Sequence, residues 1–321
     1  MTALEPHRAI TPSRGSEHAR ITGIGAYRPE RVVTNHELVD AIESSDEWIR
    51  ERTGIKSRYR ARPDESVIDM SEAASRQAIA HAGLRPDQIS AVILATITHP
   101  YQTPAAAAML THRIGATPAA AFDVSVACAG FTYGITLAND LIRGGSAFIF
   151  GDGAGAVVVS PSDYCGIGPT VWGSDGEQWE AIRQRDSWLA LRPDGPEHDP
   201  DVAWPAIVMK GQAVFRWAVW QMAPIAQQAL DRAGVKAEDL SAFIPHQANM
   251  RIIDAMIKTL KLPAHVPVAR DIAETGNTSA ASVPLAMERM LRDGEAPSGG
   301  LALLIGFGAG LSYAAQVVTL P

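Results

Sequence analysis

The sequence predicts an α/β protein built from two duplicated α/β halves related by a pseudo-twofold axis. Two observations predict it: matches between the halves at a nearly constant spacing, and β-branched runs that alternate with helical stretches. "AGLRPDQISAVI" (82–93) resembles "AGVKAEDLSAFI" (233–244), an offset of 151 residues. "LAND" and "LIRGG" at 137–145 parallel "LAMERMLRDG" at 285–294, with leucines offset by 148. "GDGAG" (151–155) parallels "GFGAG" (306–310), offset by 155. Each match is weak alone. Three in one order at nearly one spacing mark a duplication.

Each copy has the same elements in the same order. An amphipathic helix ends at Ala-Gly, and after a short turn a β-branched run, "SAVILAT" or "SAFIP", reads as a buried strand. A second strand and a long Ala-rich helix follow. A Gly-rich turn then leads into a final strand, "GAVVVS" or "LSYAAQVV". Strands alternating with helices imply largely parallel sheets covered by helices. The expected boundaries are a disordered tail over 1–19, an N-terminal half over 20–163 and a C-terminal half over 164–321. The tail is polar and lacks the apolar middle of a signal peptide.

Composition narrows the function classes. The chain has 321 residues, enough for a large core in two joined halves. A formal net charge of −7 argues against general nucleic-acid binding, which needs a basic field. Two cysteines far apart in sequence give neither a disulfide framework nor a zinc spacing, and nine histidines include no H-E-x-x-H pattern, so no metal is expected. The longest apolar stretch, "AVILATITHPYQTPAAAAML", is broken by His99, Pro100 and Pro104, so no bilayer span or membrane partner is expected. These features predict a soluble protein of a reducing cytoplasm.

The duplication also gathers the chemistry. Cys128 in "DVSVACAGFTYG" sits where a strand gives way to small residues; at an offset of 148 it aligns with Gly276, next to Asn277 in "AETGNTSAAS". His246 in "FIPHQANMR" follows the other strand of the second copy. Ligand chemistry in α/β sheets collects beyond the carboxyl ends of strands, and pseudo-twofold packing brings such ends together. A cysteine opening a helix lies at the positive end of the dipole, which favours thiolate. Ala127, Ala129 and Gly130 leave room for a substrate carbonyl. Taken singly, each residue has a plainer reading: buried filler, a hydrogen-bonded histidine, a turn asparagine. Matched points of a duplicated frame favour the catalytic one.

These stretches resemble β-ketoacyl-acyl carrier protein synthase III, a condensing-enzyme family of the thiolase-like fold, in its actinobacterial type. The resemblance rests on "SSDEWIRERTGIKSR", "FDVSVACAGF", "FGDGAGAVVV", "PHQANMRI", "GNTSAAS" and "GFGAGLSYAAQV", in order from Ile21 to the C-terminus. It implies layers α-β-α-β-α and a decarboxylative condensation of an acyl-CoA primer with malonyl-acyl carrier protein, starting type II fatty acid synthesis. Acyl-CoA is then a substrate, and no cofactor is implied. Cys128 becomes the nucleophile, while His246 and Asn277 stabilise the enolate. The backbone N–H groups of Cys128 and Ala309 form an oxyanion hole.

The resemblance also implies binding surfaces. "RERTGIKSRYRAR" (50–62) carries six basic residues against Glu51; this suits a solvated loop, but with Trp48 beside it the resemblance assigns Trp48 and Arg52 to CoA. Asn249 matches a pantetheine contact, and Gly211 and Phe215 match tunnel-wall positions. A carrier-protein surface is implied over Gln247, Ala248, Asn249, Met250 and Arg251, with Lys258 and Arg216. Thr103 falls where a partner subunit closes the acyl pocket, which implies a homodimer. A small residue there predicts room for longer or branched primers.

One departure stands out. Arg143 to Gly153 spans ten residues, whereas Arg292 to Gly308 spans sixteen. The resemblance implies a strand, a loop and an arginine that packs on the CoA adenine after Gly145; they have no counterpart here, which predicts an unfilled slot beside a central strand unless "SAFIF" serves as a stunted strand. Two alternatives therefore stand beside the main reading: a related condensing or acyl-transfer enzyme of secondary metabolism, and an inactive partner protein of the same fold. Thiolase itself fits less well, since "GFGAGLSYAAQVV" lacks a second cysteine and Cys165 reads as structural filler.

Overall fold

Two sheets of matching topology carry the two copies of the repeat. The computed structural model describes residues 15–39, 44–116, 119–143, 148–152, 155–191, 193, 198–202, 204 and 206–321. The first sheet comprises β1 (His18–Ala26), β4 (Ala91–Ala95), β5 (Ala120–Val124), β6 (Phe148–Asp152) and β7 (Gly155–Ser162), in the order β1-β7-β6-β4-β5. The second comprises β8 (Val171–Gly173), β11 (Ala242–Pro245), β12 (Leu301–Gly308) and β13 (Ser312–Thr319), in the order β8-β13-β12-β11. A parallel bridge from Phe243 to Val268 extends its edge. Strand directions agree one for one. β6 and β12 each run parallel to one neighbour and antiparallel to the strand that follows across the Gly-rich turn. Small hairpins, β2 (Arg31–Thr34) with β3 (Ser57–Arg60) and β9 (Ile182–Gln184) with β10 (Ile207–Met209), lie outside this frame.

Alternation along the strands produces the layers. Ile93, Val157 and Val159 face inward, and so do Ala302, Leu304 and Val318 of the second sheet. They enclose α4 (Gly130–Arg143) and α8 (Ser282–Arg292), which follows the short α7 (Ile272–Thr275), through Ile135, Ile142, Val283 and Met287. The odd-even partners Val92, Leu94 and Val158 point the other way, onto α2 (Val67–His81) and α3 (Ala106–Ile114). Leu303 and Ile305 point outward onto α5 (Gly211–Ala233) and α6 (Met250–Leu260). A period of two with both faces apolar is what a strand between two helical layers requires. The result is the α-β-α-β-α order.

Two expectations change. β1 starts at His18, inside the stretch expected to be tail, while residues 1–14 lie outside the described set. The unfilled slot does not arise: β6 pairs with β4 through Val92–Ile149 and Ile93–Phe150 and with all of β7's start, so "FIFGD" occupies the central position. Backbone polar groups that a gap would have stranded are paired. The junction 144–147 lies outside the described residues. Among the described residues, no helix is long and apolar enough to cross a membrane.

Candidate active site

β5 ends at Val124 and the 3-10 turn Ala127–Ala129 leads directly into α4. Ala127 opens that turn at φ 43°, a left-handed conformation that costs a non-glycine residue about 1–3 kcal/mol. Ser279 opens the turn Ser279–Ala281, ahead of α8, at φ 54°. The same unusual turn therefore stands at the same point of both halves, and the two turns pack together. Their alignment makes Ala280 the counterpart of Cys128 instead of Gly276, an offset of 152 residues where the leucine matches suggested 148. A Cβ on Gly130 would lie 3.3 Å from the Ala280 methyl, so the contact is close.

This turn pair links the predicted triad. The Cys128 Sγ lies 3.3 Å from the Ser279 Oγ. The Ser279 N–H donates to the Asn277 Oδ1 at 2.9 Å. That bond occupies the carbonyl end of the Asn277 amide, leaving its NH2 as the group available to a ligand. Asn277 is exposed and Cys128 half-buried, so both are reachable.

His246 reaches the turn from the other side. Its N–H donates to the Ile305 carbonyl at 2.7 Å, extending the β11–β12 pairing by one residue. The ring is buried and packs edge-on against Phe307, centroids 5.1 Å apart. Nδ1 lies 2.6 Å from the Ser282 Oγ, which accepts the Gln247 N–H at 3.2 Å. The hydroxyl can still either donate to Nδ1 or accept from it; when it donates, Nε2 carries the ring N–H. Burial pushes the imidazole pKa down to about 3, so the ring is neutral at physiological pH. Removing the hydroxyl with Ser282→Ala leaves Nδ1 unpartnered and the tautomer unset. The fold is expected to lose about 1–3 kcal/mol, the cost of one unsatisfied buried group, and unfolding curves of the variant check this.

β12 supplies the remaining wall. A Cβ on Gly308 would lie 2.7 Å from the Cys128 nitrogen, and one on Gly306 would lie 2.8 Å from the Thr132 Oγ1, so only glycine allows β12 this close to the start of α4. Ala309 follows at once, opening the turn Ala309–Leu311. The backbone N–H groups of Cys128 and Ala309 are therefore carried by segments in direct contact.

The other expected residues separate into groups. Trp48 and Arg52 lie exposed on α1 (Asp46–Thr53), the guanidinium 6.0 Å from the indole ring centre. Asn249 caps α6: its side chain accepts the Arg251 N–H at 2.9 Å and donates to the Arg52 carbonyl at 2.9 Å, strapping α1 to α6. One amide N–H remains for a ligand. Gly211 starts α5, and Phe215, one turn on, lies 4.8 Å beneath the Arg251 guanidinium. Arg216, Arg251 and Lys258 are exposed, and Asp254, the acid between the last two, is paired with Arg270 at 2.7 Å. Gln247 does not belong to that surface. It is fully buried, donating to the Pro245 and Ala269 carbonyls and accepting from the Ile272 N–H. Ala248 and Met250 are half-buried. Thr103 is exposed ahead of α3. Cys165, expected as filler, is exposed instead. Ser282 was missed by sequence reasoning, although "GNTSAAS" contains it.

Among the described residues no three histidine, cysteine or acidic side chains group as a metal site. Comparison with known proteins gives a consistent result. The model of the 3-oxoacyl-[acyl-carrier-protein (ACP)] synthase III C-terminal domain matches residues 230–320, and that of 3-oxoacyl-[acyl-carrier-protein (ACP)] synthase III matches 143–176. A β-ketoacyl-[acyl-carrier-protein] synthase III of Streptomyces coelicolor is 54% identical over 340 positions, covering 97% of this chain and 99% of the relative. That share of this chain is about 311 residues, so about 29 of the 340 positions have no residue here. The mycobacterial synthase III of Mycobacterium marinum is 49% identical, covering 97% and 98% of the two chains. Among solved structures, the priming β-ketosynthase of the R1128 polyketide pathway superposes with a TM-score of 0.91 at 44% identity, covering 98% and 99%. The 3-oxoacyl-(acyl carrier protein) synthase III of Pseudomonas aeruginosa PAO1 superposes at 0.84 and 36%, covering 95% and 99%. On these grounds the chain belongs to the 3-oxoacyl-[acyl-carrier-protein] synthase III family.

Proposed function

We propose that the chain condenses an acyl-CoA primer with malonyl-acyl carrier protein, releasing CO2 and giving 3-oxoacyl-acyl carrier protein, the first elongation of type II fatty acid synthesis in the cytoplasm. The Cys128 sulfur attacks the acyl-CoA carbonyl, and the Cys128 and Ala309 N–H groups receive the oxyanion. CoA leaves as thiol. The Nε2–H of His246 and the NH2 of Asn277 then bond the malonyl thioester oxygen. Negative charge builds on that oxygen as CO2 departs, and the resulting enolate carbon attacks the acyl-cysteine carbonyl, breaking its C–S bond and releasing the Cys128 sulfur as thiolate. One observation carries this reading: the turn Ser279–Ala281 and Ser282 are bonded to Cys128, Asn277 and His246 at once.

Trp48 and Arg52 suit CoA, an indole for stacking and a cation for phosphate. Arg216, Arg251 and Lys258 suit an acidic carrier protein. A homodimer is supported by β5, which pairs with β4 on one side, has no strand on its other edge among the described residues and exposes Phe122. Thr103 would then meet the partner's acyl pocket. The similarity to a polyketide priming enzyme favours, as a second reading, the same chemistry on a different carrier protein.

An assay of CoA release and 3-oxoacyl-acyl carrier protein formation across a series of acyl-CoAs tests the proposal. Product is expected, with longer or branched primers at least matching acetyl-CoA. No product from any primer would favour the inactive-partner reading. Acetyl-CoA turnover well above the rest would count against the open pocket at Thr103. Preference for a polyketide carrier protein would favour the second reading.

A further inference from the structure

A fully buried glutamine lies in the seam between the halves, beside three threonines. Gln316 is on β13, pairs in register with Leu304 and stands between Ala314 and Val318 on the side facing α4. Its Nε2 donates to the Thr132 carbonyl at 3.3 Å, and its Oε1 accepts from the Thr170 hydroxyl at 2.9 Å. Thr136 joins the cluster, 2.9 Å from the Thr170 Oγ1. The Thr132 hydroxyl in turn donates to the Ala129 carbonyl at 2.9 Å, in the turn that holds Cys128. Gln316 thus bonds the first turn of α4 to the same β12–β13 hairpin whose bend bears Ala309.

We infer that Gln316 is a positioning residue that fixes the spacing between the Cys128 and Ala309 N–H groups. An apolar residue would fill the seam but hold α4 at no particular height along β13. A directional buried amide does hold it. An oxyanion hole is sensitive to that height, because a displacement of about 1 Å can cost on the order of 10²-fold in rate. The inference rests on Cys128 being the acyl acceptor.

The test compares two reactions of one sulfur. Acyl transfer from acyl-CoA forms a tetrahedral oxyanion, whereas alkylation by iodoacetamide forms none. Gln316→Met keeps the volume and removes the amide. It is expected to slow acylation about 10- to 100-fold and to change the alkylation rate by less than about threefold. Equal losses in both reactions would reduce Gln316 to a purely structural role, and unchanged acylation would end the inference. Should Gln316→Met fail to fold, Thr136→Val combined with Thr170→Val removes both hydroxyls that donate to the Gln316 Oε1; a loss confined to acylation supports the inference and none overturns it. Wild-type protein that takes no acyl group would instead overturn the proposed function, independently of the variants.

Discussion

Mixed with an acyl-CoA, the wild-type chain is expected to gain the mass of one acyl group, and Cys128→Ala to gain none. Covalent capture divides one difficult step into two easier ones, and no other side chain at the paired turns has a nucleophile of comparable strength. The Ser279 hydroxyl 3.3 Å away is a poor substitute without an activating base. Overall condensation should therefore fall by at least about 10³-fold. The fold should tolerate the change, because Ala127 and Ala129 already flank the site with methyl groups and the variant keeps the Cβ. Thermal melting within a few degrees of wild type would separate lost chemistry from lost structure. Cys165→Ala, removing the exposed thiol whose Sγ lies 3.3 Å from the Ile167 carbonyl, should leave the adduct intact. An adduct that survives Cys128→Ala would move the nucleophile elsewhere and dismantle the mechanism.

The frame that positions this cysteine was readable because duplication repeats a signal. Ala-Gly marks the approach to β4 and to β11, at whose end His246 lies, and small residues mark the point beyond β5 where Cys128 lies. Register was less readable. The leucine match suggested an offset of 148, yet the left-handed residues Ala127 and Ser279 align the turns at 152, and no composition cue announces an alanine or serine at positive φ. Gln247 was misassigned because its neighbours are surface residues, while its own amide is bound by three backbone groups inside the fold. Gln316 did leave a mark: an amide between Ala314 and Val318 in "SYAAQVV", on the inward side of a period-two strand. A buried amide there has to be paired, which was reason enough to look for its partner. The short link before β6 was visible as a length difference, but only strand pairing shows that "FIFGD" takes the central place.

His246→Ala separates the two half-reactions, and the direction follows from the protonation state. A buried neutral imidazole, its Nδ1 bonded to Ser282, offers an N–H and no charge. Such a donor acts where an oxyanion develops, and removing one costs on the order of 10²- to 10³-fold. Condensation with malonyl-acyl carrier protein should drop by that factor while the acyl adduct on Cys128 still forms. A parallel drop in acylation would make His246 the base for Cys128 instead. The ring's low pKa adds a pH test. Between about pH 8 and 5 His246 stays neutral in the fold, so its protonation should produce no acid limb in the condensation rate. Stability behaves differently. Below the ordinary value of 6.5 the unfolded chain binds a proton at His246 that the folded chain refuses until about pH 3, so this residue disfavours the fold progressively across that window. Unfolding curves of His246→Gln should accordingly lose less stability than wild type between pH 6.5 and 3, and equal slopes would mean that the ring takes up its proton in the folded state.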